Sequence, residues 1–96
     1  MIPPRPTTVA FAIEGPIAPA DVARLSERFC ALLARSGAAV ALCDVNGATA
    51  DAVTVDALAR LQLTARRNGC RVELRRPPDE LRELLAFVGL ADVLRV

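Results

Sequence analysis

The sequence predicts a single α/β domain: a largely parallel or mixed sheet of about four strands with three helices. Two observations carry this. Short strand-like stretches, apolar at 9–13 and 38–45, alternating at 70–75, and a last one at 91–96, are interspersed with longer segments of helical periodicity. Gly, Pro, Asn or Asp marks the changes of pattern, and a β-α-β-α-β-α-β order gives parallel strands joined by right-handed crossovers. A chain of 96 residues is the size of one domain, placed at 9–96, after a proline-rich lead-in at 1–8 that is expected to be mobile.

The first strand is "VAFAI" (9–13), closed by the turn signal Glu14-Gly15-Pro16. In the helix that follows, Val22, Leu25, Phe29, Leu32 and Leu33 share one face, Pro19 suits the first turn and Gly37 the position past the C-cap. "AAVALCDV" (38–45) is apolar without alternation, the pattern of a strand covered on both faces. A second helix is expected over 54–68, with Leu58, Leu61 and Ala65 inward and Gly69 as its stop. "CRVELR" (70–75) alternates Cys70, Val72 and Leu74 against charges. Pro78 opens a third helix with Leu81, Leu84, Leu85 and Val88 on its apolar face and Gly89 at its end, and "ADVLRV" (91–96) offers a last short strand.

Composition removes several functions. A 53% apolar chain is not disordered. Twelve basic residues, all Arg, stand against 11 acids for a net charge of +1, which is no footprint for nucleic acid. Three Phe with no Tyr or Trp give no stacking platform or aromatic cage. Cys30, Cys43 and Cys70 lack CxxC spacing and read as small buried hydrophobes in a reducing, cytoplasmic setting. The N-terminus has no apolar h-region and no run is long enough to span a membrane, so direct membrane insertion is not expected.

The polar turn "DVNGATADAVTVDAL" (44–58) sits where α/β proteins place their chemistry, between a strand end and a helix start. With no His or Lys in the chain, Asp44 and Asp51 are the one candidate acid/base or metal pair. Strand termination by Asp44 and helix capping by Asp51 are the commoner uses of such acids. Thr54 also suits a cap or first turn. No glycine-rich phosphate fingerprint is present, Asn46-Gly47 is a turn signal, and neither an enzyme nor a cofactor is expected.

Three stretches resemble the STAS domain of bacterial anti-sigma factor antagonists: "VAFAIEGPI", "VALCDVNGATADAVT" and "NGCRVELRRPPDELRELLAFVGLADVLRV". The second is similar to the family's strand ending in Asp-Leu-Ser followed by an Asp-Ser-Ser-Gly motif. Asp44 then matches the strand-ending acid, Asn46 the following Ser, Asp51 the motif Asp, Ala52 and Val53 the two Ser, and Thr54 the Gly. The resemblance implies a phosphoacceptor at Val53, which has no hydroxyl. Thr54 would take its place only if the register slips by one. The family's usual extra opening strand and fourth helix have no counterpart in this pattern.

From the resemblance the expected function is a non-catalytic regulatory interaction domain. Asp44, Asn46, Asp51, Ala52, Val53, Thr54, Val55 and Leu58 would meet a protein partner, an anti-sigma kinase-like ATPase. Two alternatives remain open: a cytoplasmic accessory subunit contacting the ATPase of a lipid-type ABC transporter, and a small-ligand sensor with a pocket near Asp44 and Thr54.

Overall fold

The computed structural model describes residues 7–91 and 94. Its elements are β1 (Thr8–Ala12), a 3-10 turn (Pro19–Asp21), α1 (Val22–Ser36), β2 (Val40–Asp44), α2 (Ala52–Arg67), β3 (Arg71–Arg75) and α3 (Asp79–Phe87). Among the described residues the sheet has three strands, all parallel, in the order β1-β2-β3. The predicted α/β class and the three helices are present. Most of the lead-in (1–6) lies outside the described residues, whereas Thr8, assigned to it, already belongs to β1. The predicted fourth strand falls largely outside them too. Of its described residues, Ala91 and the buried Leu94 lie in turns.

The helix ends follow local chemistry. Pro19 makes a single 3-10 turn, so the α-helical hydrogen-bond pattern starts only at Val22. At the other end Gly37 adopts φ +61° and its N–H bonds Leu33 O at 2.9 Å, a left-handed stop that a Cβ would strain. α2 begins two residues before the predicted Thr54, because the carboxylate that caps it is at Asp51.

Strand order overturns one expectation. Crossovers of one hand, always stepping in the same direction across a sheet, place α1 and α2 on the same side, and α3 packs there too. That side holds Ala41, Cys43, Val72 and Leu74, sealed with half-buried Val9 and Phe11 against Phe29 and Leu33 of α1, Leu58 and Leu61 of α2, and Leu81 and Leu85 of α3. Phe11 meets Phe29 edge-to-face, ring centroids 5.6 Å apart. The opposite side carries Thr8, Ala10, Ala12, Val40, Leu42, Asp44, Arg71, Glu73 and Arg75, none of them buried. β2 is therefore covered on one face, not two, despite its unbroken apolar sequence.

Two further expectations fail at margins. Cys30 is exposed, because it lies off the stripe of Val22, Phe29 and Leu33, while Cys43 and Cys70 are buried as expected. Val88 is 46% exposed, since α3 ends at Phe87 before another turn could carry it to the core.

Candidate functional site

α1 and α2 each follow the carboxyl end of a parallel strand, so both helices begin at the same end of the sheet. The loops there are tied together by backbone. Gly15 N–H bonds Gly47 O at 2.7 Å, Ala48 N–H closes a turn on Val45 O at 3.0 Å, and Ile13 N–H reaches Asp44 O at 3.0 Å. A Cβ at position 47 would meet Glu14 Cγ at 3.4 Å, an ordinary van der Waals contact, so crowding does not account for the glycine of "NG".

The two acids of this loop serve separate tasks. Asp51 Oδ1 accepts the Thr54 N–H at 2.8 Å, filling one of the free donors of the α2 N-terminus. Asp44 Oδ1 accepts the Asn46 N–H at 3.0 Å and its Oδ2 accepts a hydrogen bond from the Arg76 guanidinium. Arg76 makes this contact from a left-handed backbone, φ +52°, unusual for a residue with a Cβ. Asp44 and Asp51 are thus engaged by different neighbours and do not act as a carboxylate pair.

The Arg76 hydrogen bond, then the Asn46 N–H, hold the Asp44 carboxyl below its ordinary value of 3.8. A carboxyl lowered by folding stabilises the fold in its ionised form. That contribution is full above 3.8 and is lost as pH falls through the lowered value. Arg76→Gln is expected to melt below the wild type at neutral pH, the gap closing in acid. Parallel melting curves at every pH would show that the pair contributes nothing. Burial first, and the Asp44 charge second, push the Cys43 thiol up to about 12, and burial raises Cys70, so neither is a nucleophile at neutral pH.

Around the α2 start the predicted docking residues separate into two sets. Ala52 is exposed, while Asp51, Val53 and Val55 are half-buried. Asn46 is exposed and Asp44 half-buried, both in the neighbouring loop. Thr54 and Leu58, by contrast, are fully buried, a correction to the expected partner surface. One helical turn separates them, so they lie together on the inner face that Val53 does not share. Thr54 Oγ1 makes no hydrogen bond among the described residues and is shut off from a kinase. Replacing this hydroxyl by a methyl removes an unsatisfied buried group. Thr54→Val is expected to stabilise the domain by about 1 kcal/mol, a rise of roughly 4–8 °C for a domain of this size. A thermal melt checks it, and a fall in midpoint would mean the hydroxyl has a partner.

Sequence reasoning missed the other half of the site. Ala52, Val53, Asp56 and Arg60 of α2 face Pro19, Val22 and Ala23 across a groove of about 420 Å³. Its lining is apolar apart from Asp56 and Arg60, which form an ion pair at 3.1 Å. The signal was available in principle: helices after adjacent parallel strands start side by side at the sheet's carboxyl end. Nothing in the local sequence marks Arg76 as the partner of Asp44. Among the described residues no three His, Cys, Asp or Glu side chains converge as metal donors, and no helix is long and apolar enough to cross a membrane.

Residues 4–95 match the family model described as "Mlab, STAS domain". No curated protein matches the chain with significance. The match takes in the whole sheet, all three helices and the loop from Asp44 to Asp51. The chain belongs to the STAS domain family.

Proposed function

We propose that this STAS domain is a non-catalytic docking module that binds its protein partner constitutively, through the α2 N-terminus and the groove beside it. One observation carries the reading: the exposed start of α2 is apolar and uncharged, and it offers no accessible hydroxyl. Val53 stands where the family resemblance puts the phosphoacceptor, and the adjacent Thr54 hydroxyl is sealed inside. A partner can bury Ala52 and Val53 without desolvating a charge. Phosphate, which would add nearly two negative charges here, has no reachable atom to join on the exposed start of α2, the accessible Thr49 hydroxyl lying in the loop before it.

A switched antagonist needs such an atom and a stably bound subunit does not. Of the two ATPase partners that the resemblance implies, the ATPase subunit of a lipid-type ABC transporter therefore fits this chain better than an anti-sigma kinase-like protein. The ligand-sensor reading loses its shared pocket. Asp44 lines a shallow recess with Ala10, Ala12, Leu42 and Arg75 on the bare sheet face, while Thr54 is enclosed on the other side.

Co-purification of the tagged chain from its native lysate, with mass spectrometry of what comes with it, tests the proposal. The expected result is an ABC ATPase in constant ratio and no phosphate on the chain. Recovery of a kinase-like ATPase, with phosphate on the chain, would restore the switched antagonist.

A further inference from the structure

The two outer strands of the sheet are not alike. β3 presents Arg71, Glu73 and Arg75 along its length, the charge pattern by which proteins keep an open strand edge from pairing. β1, of the same length, reads Thr8-Val9-Ala10-Phe11-Ala12, with no charge and no proline. In its parallel ladder with β2, the Thr7 O and Ile13 N–H point inward, to Val40 N–H and Asp44 O. By the alternation of strand geometry, the N–H and C=O groups of Thr8, Ala10 and Ala12 then point away from the sheet. Among the described residues none of them meets a partner strand.

We propose that β1 is an interface between two copies of this chain, paired antiparallel about a twofold axis through Ala10. The sequence of β1 is self-complementary in this register. Ala10 exchanges both backbone hydrogen bonds with its counterpart, and Thr8 does so with the partner's Ala12. On the helix-bearing face Val9 then lies across from the partner's Phe11, a β-branched–aromatic pair of the kind that stabilises neighbouring strands. Val9 and Phe11 are only half-buried in the single chain, and this pairing covers them. On the bare face the small side chains of Ala10 and Ala12 leave room for close approach, and no like charges meet. Pairing through β3 would instead align rows of charged side chains. A symmetric contact of this kind closes at two subunits and joins the two sheets into one. It lies apart from the α1–α2 groove and does not depend on the docking reading above.

Ala10 is exposed and its Cβ stands on the bare sheet face, so a charge there disturbs no core contact. Sedimentation over a concentration series is expected to show the wild type moving towards twice the 10.2 kDa of the chain. Ala10→Lys and Ala10→Glu, each folded by circular dichroism, are expected to stay at the monomer mass, because two like charges meet across the axis. Mixed in equal amounts the two variants are expected to dimerise again. A wild type that remains monomeric at its highest soluble concentration would overturn the proposal, as would dimers that both variants retain.

Discussion

Val53→Asp is expected to weaken partner binding by at least about a hundredfold while leaving the fold intact, because a desolvated, unpaired carboxylate costs several kcal/mol. The two effects separate because of where residue 53 sits. It follows Asp51, the N-cap of α2, by two positions, where the helix dipole favours a negative side chain by roughly 0.3–1 kcal/mol. The variant should therefore melt at or slightly above the wild-type temperature. The same carboxylate would enter the partner's apolar surface beside Ala52, Val22 and Ala23, with Asp56 adding a like charge nearby. Titration of the purified partner against both proteins reads the change directly. Equal affinities would place the contact elsewhere.

Leu58→Ala is expected to act the opposite way, on stability first. Leu58 is fully buried among the residues that join α2 to the sheet and to α1. Truncating a buried leucine costs about 2–5 kcal/mol, counting both lost transfer and the cavity left behind. At roughly 4–8 °C per kcal/mol, the melting temperature should fall by about 10 °C or more. Below that melting point, partner affinity should stay within a few fold of wild type. A large loss of affinity with an unchanged melt would return Leu58 to the partner surface, where the resemblance alone had put it.

Leu58 and Thr54 also show what the sequence could and could not disclose. Apolar periodicity correctly marked Leu58, Leu61 and Ala65 as the inner stripe of a helix. The start of that helix depended on one side chain, and once Asp51 is its cap, Thr54 falls at the third helical position, on the inward side. Family resemblance assigned roles to consecutive residues without regard to that rotation, which put buried and exposed positions in one docking set. The unbroken run of β2 misled for a different reason. An apolar strand is compatible with cover on one face or on two, and strand order, which is not a local property, decides between them. The alternation of "CRVELR" was more informative because its charges have only one side on which to lie. The groove needed two helix starts brought together by the sheet, and the Asp44–Arg76 contact needed residues 32 apart in sequence.

The docking claim is tested most directly by amide hydrogen exchange of the chain alone and in its complex. Asp51 satisfies the Thr54 N–H, but the N–H groups of Ala52 and Val53 at the first positions of α2 have no intrahelical acceptor. They should exchange fast in the free protein. In the complex, protection is expected to appear at 52, 53 and the facing turn at 22–23, with the chain carrying no phosphate. Protection confined to β3 and α3, with Ala52 and Val53 still exchanging at the free rate, would contradict the account.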